Sequence, residues 1–486
     1  MPHSLPFPTH PPCGALHRRP RRSFVALFLG ATALAPDSLP AQARPVSLAE
    51  ALQRAADGAL ANRTARAGAD LAAAQRRLAW RGILPTVRLE AGFVRTTDPV
   101  GAFGTTLRQQ RITAVDFDPA RLNFPAPLNN HTGALVLEQP LVVIDAWMAS
   151  RAGNRAAAGA AKAADWASLS TQAHVVKAWF GVVLAAERAS TLAAATRAAH
   201  AHVTQAEHLL EAGMVTRSDA LLAAVRAGEL DASRLEAQGD SALAEHQLAV
   251  LLGDPGDRLT ATAGFPDDSL AIRLAREVLA MPVSTRSDVA GAQLAVAAAS
   301  ADVARTRAAF LPRVMTFARR DLNSAARPFG GADNWTVGVM ASWTPFSGAS
   351  ELAEQQSAVA RKAGAQAQLD GATAAAGLEL ERTALALETA LARVEIARKA
   401  VAQGMEAHRI VARKYEGGLA TVVELLDASA AETQARLGLS AARFSLVAAA
   451  ADRLQAIGAE PARLVALDPT ASAPGAHPSR LTSIPD

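Results

Sequence analysis

Two carboxylates late in the chain, Glu424 and Asp427, have a type and spacing that can do chemistry. Residues three apart lie on one face of a helix, where two negative charges attract cations. A solvated helix face is the alternative interpretation of the same pair. No Ser-His-Asp, zinc-site or paired-carboxylate catalytic arrangement stands out elsewhere. We therefore predict that the protein is not an enzyme and needs no cofactor.

Three histidines, His200, His202 and His208, lie close together in the sequence. On a helix, His200 and His202 would point about 200° apart, so they do not form a pair of metal ligands. We predict surface helix positions for them and no metal site.

The sequence around Glu424 occurs twice. Glu211–Asp219 reads EAGMVTRSD and Glu416–Glu424 reads EGGLATVVE, so Glu, Gly, an apolar residue, Thr and a carboxylate align at one offset, 416 − 211 = 205. The same offset joins Gly253 to Gly458 and Pro140 to Pro345. A fixed offset over hundreds of residues predicts a duplicated structural unit.

Each unit is predicted to contain a helix, two strands and a long helical hairpin. The first repeat covers 44–253, with strands at about 86–95 and 132–141 and a hairpin tip at about 212–219. The second covers 254–458, with strands at about 313–320 and 334–344 and a tip at about 415–424. Residues 98–131 are predicted to be a long loop, and residues 459–486 a disordered tail.

The strands alternate between apolar and polar residues, which gives each a lipid-compatible face. In the fourth strand the apolar face begins at Trp335 and ends at Trp343, a spacing that matches the two aromatic girdles of a membrane barrel. Four such strands cannot close on themselves, because an open sheet edge in lipid is too costly. The sequence therefore predicts an oligomer, with eight strands from two copies or 12 from three.

The N-terminus is typical of a secretory signal. Four arginines precede an apolar run that is too short to span a bilayer, and Ala41–Ala43 is an A-x-A cleavage site; we disfavour a cut after Ala35, beside Pro36. Without residues 1–43 the basic count falls from 49 to 45 and the acidic count from 45 to 44, so the charge gives no case for nucleic-acid binding. The only cysteine, Cys13, precedes the apolar run, which predicts no lipidation.

These motifs together resemble the TolC family of outer-membrane efflux proteins, over about residues 46–458. The resemblance implies a mainly α-helical chain with a membrane β-barrel portion: a homotrimer with one 12-stranded barrel, four strands per protomer, and a long coiled-coil tunnel in the periplasm. It also implies contact with outer-membrane lipid and two partners, a periplasmic adaptor and an energised inner-membrane transporter.

Particular residues can be assigned through the resemblance. Gly213 and Met214 in one tip, and Gly418 and Leu419 in the other, match the adaptor-docking tips. The implied periplasmic gate comprises Glu424, Asp427, Asp219, Tyr415 and Arg217. In a trimer, Glu424 and Asp427 would form two stacked carboxylate rings. Family members carry an arginine where this chain has Ala420, so either Arg217 replaces that latch or the closed state is held more loosely.

We therefore predict an outer-membrane channel of a Gram-negative bacterium that serves as a passive exit duct in a tripartite efflux or secretion system. A periplasmic coiled-coil adaptor or scaffold without pore activity is the alternative. The sequence leaves open the cargo, the class of pump and the role of residues 98–131.

Overall fold

The structure is a computed structural model that describes residues 43–468. The predicted signal peptide, save its last residue, and the tail from residue 469 onward lie outside the described residues. The strands are β1 (Arg44–Val46), β2 (Thr86–Thr96), β3 (Leu128–Val142), β4 (Leu259–Ala261), β5 (Arg313–Ser324) and β6 (Ala332–Ser342). The helices are α1 (Leu48–Gly58), α2 (Leu60–Ala79), α3 (Pro99–Arg108), α4 (Pro119–Asn123), α5 (Ile144–Glu211), α6 (Arg217–Leu252), α7 (Asp268–Ala280), α8 (Ser287–Ala308), α9 (Ser350–Glu416) and α10 (Val422–Ala456).

Two long helical hairpins dominate the described chain. The outer hairpin is α5 with α6, which have 68 and 36 residues, and the inner hairpin is α9 with α10, which have 67 and 35. The second helix of each hairpin begins at the sequence offset, 422 − 217 = 205. Alanine-rich sequences form such helices readily, because alanine has the highest helix propensity and lets helix backbones approach closely.

The second architectural part is one antiparallel sheet in the order β2-β3-β5-β6. Residues paired across neighbouring strands share a face, and the pairs Leu89 with Leu135 and Ala318 with Val337 lie on the same side. That side is mostly apolar and exposed, with one ion pair, Arg320 with Asp333 at 2.6 Å, beside Trp335. Its large apolar side chains are Val87, Leu89, Phe93, Leu135, Leu137, Trp335, Val337, Val339 and Trp343. Four long helices and four sheet strands in one chain confirm the predicted fold class.

The opposite side of the sheet carries a row of paired charges. Arg88 donates to Glu138 on the neighbouring strand, and Arg319 donates to Glu90 across the intervening strand at 3.2 Å. Val136 on that intervening strand is buried among them. The sheet thus presents one mostly apolar face, whose charged pair is Arg320 with Asp333, and one face with a row of compensated charges.

The main hydrophobic core lies where the short elements pack on α5 and α10. Trp179 is fully buried, stacks edge-on against Phe180 with ring centroids 4.8 Å apart, and donates its indole N–H to the Val46 carbonyl at 2.9 Å. That carbonyl belongs to β1, which pairs in parallel with β4. The chain segment ahead of α1 is therefore held against α5 and β4 by residues that the sequence analysis did not assign to strands.

Several sequence predictions need correction. The one helix predicted ahead of the strands of the first repeat is two helices, divided at Ala59, whose ψ of 128° ends α1. Residues 98–131 are not a plain loop, because they contain α3 and α4, each with an aspartate cap and a proline in its first turn. The sheet strands also run further than predicted: β3 begins at Leu128 and β5 ends at Ser324.

The predicted disorder of residues 459–468 is also wrong. Pro461–Leu467 forms a 3-10 helix whose Leu464 and Leu467 are buried in the main core. The next residue, Asp468, accepts a hydrogen bond from the Leu48 backbone N–H at 2.9 Å. The segment is ordered because it supplies apolar side chains to the core and a carboxylate to the first turn of α1.

Between residues 43 and 468, no helix offers the apolar length that crossing a bilayer requires.

Candidate functional site

The tip of the outer hairpin is built by a left-handed glycine. Gly213 has φ of +69°, and the next N–H, that of Met214, donates to the Leu209 carbonyl at 2.8 Å. Gly213 itself donates to Leu210 at 3.0 Å, which completes a Schellman motif. Glycine suits this position because L-residues pay steric strain at positive φ. The motif reverses the chain within a few residues.

The tip of the inner hairpin repeats this geometry. Gly418 has φ of +71°, Leu419 donates to the Lys414 carbonyl at 2.8 Å, and Gly418 donates to Tyr415 at 3.0 Å. The duplicated sequence thus produces two turns of the same form.

The duplicated threonine and carboxylate form a capping box at the start of each return helix. The Asp219 carboxylate accepts hydrogen bonds from the Thr216 backbone N–H and hydroxyl, at 3.0 and 2.7 Å. Glu424 does the same for Thr421, at 2.7 and 3.1 Å. The hydroxyl of Thr216 and its backbone N–H lower the pKa of Asp219; the backbone N–H of Thr421, then its hydroxyl, lower that of Glu424. Both carboxylates are held by their own helix.

The two hairpins meet in a tip cluster, which we define as Ala206, Ala220, Ala223, Tyr415, Val422, Leu425 and Leu426. Tyr415 is the largest of these side chains and only 6% exposed. Its hydroxyl is buried and has no hydrogen-bond partner. Burial, and then the negative charge of Asp219, raise the pKa of the Tyr415 hydroxyl. The cluster joins the outer and inner hairpins directly behind their turns.

The other two residues that the sequence analysis assigned to a gate, Asp427 and Arg217, lie at the surface. Asp427 is exposed on α10, three residues beyond Glu424. Arg217 is exposed, and its side chain makes no hydrogen bond or ion pair with any other residue between 43 and 468. Arg226, on α6, hydrogen-bonds Glu229 at 2.8 Å; that bond, and to a smaller extent the charge of Asp427, raise the pKa of Arg226.

Sequence reasoning missed Arg226. The two residues Arg226 and Asp427 make no hydrogen bond or ion pair, but the charge of Asp427 acts on Arg226 across 427 − 226 = 201 positions, so no local spacing reveals it. The sequence analysis predicted a surface position for His202. That prediction is wrong, since the Nε2 atom of His202 is buried.

The apolar residue of each turn points away from the cluster. Met214 is 68% exposed and Leu419 is 82% exposed. Single exposed apolar side chains are common, but two at matching positions beside a shared cluster form a surface that a partner can cover.

The two tryptophans near the ends of the last sheet strand are both exposed. Trp335 and Trp343 are 77% and 63% exposed on the apolar face of the sheet, near opposite ends of β6. Trp343 donates its indole N–H to the Phe310 carbonyl at 3.0 Å, which fixes the ring at the end of the sheet nearer the long helices.

No group of three or more residues of the metal-binding types comes together within the described range.

Comparison with known proteins finds one family model that matches the second half of the chain. Residues 283–459, which include α8, β5, β6, α9 and α10, match the family model described as outer membrane efflux protein. No curated protein matches the chain by sequence.

Three solved structures illustrate the fold match. The CmeC outer membrane channel of Campylobacter jejuni has a TM-score of 0.69 at 16% identity, over 85% of this chain and 86% of that chain. The outer membrane protein VceC of Vibrio cholerae also scores 0.69, at 20% identity, over 85% and 96%. The open MtrE outer membrane channel of Neisseria gonorrhoeae scores 0.67 at 19% identity, over 85% and 89%.

At these identities the structural matches establish the fold, and the family model matches the second half of the chain by sequence. The predicted resemblance is therefore confirmed: residues 283–459 match the outer membrane efflux protein model, and the described chain has the fold of the outer membrane proteins named above.

Proposed function

We propose that this chain is the outer-membrane channel of a tripartite efflux or secretion system and that it conducts substrate passively. An inner-membrane transporter would supply the energy, and a periplasmic adaptor would dock on the hairpin tips. The observation that carries this proposal is the pair of matching turns, which offer Met214 and Leu419 to a partner beside one shared cluster. The proposed location is the outer membrane of a Gram-negative bacterium, with the helices in the periplasm.

The sheet supports assembly into a homotrimer. Its apolar face suits outer-membrane lipid, and its two outer strands, β2 and β6, leave unpaired backbone groups at both edges. Because unpaired backbone is costly in lipid, the sheets of neighbouring copies would pair at these edges. The compensated charges on the other face, such as Arg319 with Glu90, would then line the interior.

We place the periplasmic gate at the tip cluster. In the closed state Tyr415 holds the inner hairpin against the outer one, and Asp427 contributes a carboxylate ring near the symmetry axis. Glu424 would add a second ring, although its carboxylate also caps α10. For the latch, Arg217 is one candidate, and Arg226, on which the charge of Asp427 acts, is a second.

Planar-bilayer conductance of the purified full-length protein tests this function. The variant pair is Glu424→Gln with Asp427→Asn, because glutamine removes the charge but still completes a capping box. Glu236→Gln is the matched control: it is an exposed carboxylate on α6, about five turns from the tip.

We expect small, cation-selective openings in the wild type and in the control, and weaker cation selectivity in the double variant. A folded oligomer without pore activity would overturn the channel and favour the scaffold alternative. If the double variant formed a pore with unchanged selectivity, the channel proposal would stand, but the constriction could not be formed by these carboxylates of α10.

A further inference from the structure

Two histidines from different hairpins meet behind the tip cluster. The rings of His202, on α5, and His408, on α9, lie edge to face with centroids 6.3 Å apart. The Nε2 atom of His202 is buried and has no hydrogen-bond partner. His408 is held from the other side, since its Nδ1 atom lies 2.6 Å from a carboxylate oxygen of Glu432 on α10.

The contact is well placed to affect the tips. His202 precedes Ala206, a fully buried member of the tip cluster, by one helical turn. His408 precedes Tyr415 by seven residues, which puts both on the same side of α9. Any force between the two imidazole rings therefore acts between the outer and inner hairpins beside the cluster.

The charges around His202 disfavour its protonation. Burial, and then the charge of His408, lower the pKa of His202. On α10, Glu432 is paired with His408 and with Arg436, so its charge is already compensated.

The charged groups of α6 at this level are also paired among themselves or with His200. Asp231 accepts from His200 and from Arg234, and Glu229 accepts from Arg226. On α9, Arg409 is paired with Glu406. Among residues 43–468, no carboxylate pairs with His202 to stabilise its protonated form.

We propose that the His202–His408 contact is a proton-operated release, through which mild acid separates the outer and inner hairpins beside the tip cluster. Its consequence for transport rests on the gate proposed above, but the separation itself can be measured without transport. Two protonated imidazoles at this distance repel each other, and a charged His202 cannot be solvated while its Nε2 atom stays buried.

The direction of the pH effect follows from linkage. A base whose pKa is lowered in the packed state binds its proton more readily when the hairpins part. Packing is therefore fully favoured above the ordinary histidine pKa of about 6.5 and is progressively lost as the pH falls below it. Acid is expected to open the tips, and neutral pH to close them.

Cysteine accessibility measures this opening directly. The only native cysteine, Cys13, lies in the predicted signal peptide. Ala206→Cys places a thiol in the tip cluster, and Ala201→Cys places an exposed reference thiol on the same helix. The ratio of their alkylation rates, measured on the full-chain protein at pH 7.5 and pH 5.5, cancels the intrinsic pH dependence of thiol reactivity.

We expect a severalfold rise of this ratio at pH 5.5 in the wild-type background and no rise with His202→Gln. His408→Gln, which removes the facing charge, should reduce the rise. His200→Gln is the matched control and should keep it, because His200 is exposed and pairs with Asp231. A ratio that does not change with pH in the wild type, or that rises equally with His202→Gln, would overturn the proposal.

Bilayer conductance of the same proteins separates the two proposals. A pH-dependent labelling ratio without a change in conductance would leave the proton release standing and refute the gate at the tip cluster. An unchanged labelling ratio refutes the release, whatever the conductance does.

Discussion

The buried hydroxyl of Tyr415 leads to a prediction whose sign is not obvious. The side chain is the largest in the tip cluster, and its hydroxyl has no hydrogen-bond partner there. Tyr415→Phe removes only that hydroxyl, whereas Tyr415→Ala removes the whole ring. We expect the two substitutions to act in opposite directions on the closed state.

The magnitudes follow from burial. An unsatisfied buried polar group costs about 1–3 kcal/mol, so its loss in Tyr415→Phe should stabilise closed tips by about 1 kcal/mol, or about fivefold in the opening equilibrium. Replacing a buried aromatic ring by alanine costs about 3–5 kcal/mol in well-packed cores. Tyr415→Ala should therefore favour opening by at least about 100-fold if opening exposes the whole ring.

The assay is the alkylation of Ala206→Cys at pH 7.5, relative to the exposed Ala201→Cys, in each Tyr415 background. Val422→Ala serves as the control for lost packing: Val422 is buried in the same cluster but has no polar atom. Val422→Ala should shift the opening equilibrium toward open tips by about 1–3 kcal/mol, an effect between those of the two tyrosine variants.

One result would refute this reasoning. If Tyr415→Phe raised the alkylation ratio as Tyr415→Ala does, the hydroxyl would be making a closing hydrogen bond, for instance to Asp219. The cluster would then be held by a polar contact, and ring burial would not be its main source of stability.

Three further predictions concern stability, each measured by thermal unfolding of the purified protein. Gly418→Ala should lower the free energy of unfolding by about 1–2 kcal/mol through the positive φ alone, since no atom lies within 4 Å of the added methyl group. The control, Gly438→Ala inside α10, should raise the free energy of unfolding by about 0.5–1 kcal/mol. Equal effects of the two glycine substitutions would contradict the positive φ of Gly418 in the turn. Trp179→Phe should cost about 0.5–1.5 kcal/mol, because it removes the indole hydrogen bond to the Val46 carbonyl, which still accepts from the Thr262 backbone N–H at 3.2 Å; a neutral result would mean that this second bond satisfies the carbonyl. Arg286→Met should lower the unfolding temperature markedly, because the buried guanidinium pairs with two carboxylates; unchanged stability would show that methionine packing compensates.

Features encoded by neighbouring residues were predictable. The sequence analysis located both hairpin tips because a Schellman glycine and a capping box use residues within a few positions of each other, as Gly213 and Thr216 do. The alternation in β6 likewise predicted the exposed face between Trp335 and Trp343. The 205-residue offset added evidence for a repeat, which one copy of a weak motif does not provide.

Features that depend on distant partners were not predictable. Residues 459–468 look like a disordered tail, yet Leu464 is ordered by the core and Asp468 by the first turn of α1. The strand β1 exists only because β4 pairs with it more than 200 residues later in the chain. Composition reports propensity, but the partner that buries an apolar side chain or accepts a hydrogen bond decides whether a segment is ordered.

The candidate site shows the same division. The sequence by itself determined that Glu424 and Asp219 stand at equivalent positions and that Tyr415 adjoins a turn. Only the tertiary structure decided that both carboxylates cap their own helices, that Tyr415 is buried between two hairpins, and that His202 faces His408. The physical reason is that a local hydrogen bond needs one segment, whereas burial and charge proximity arise only when separate segments pack together.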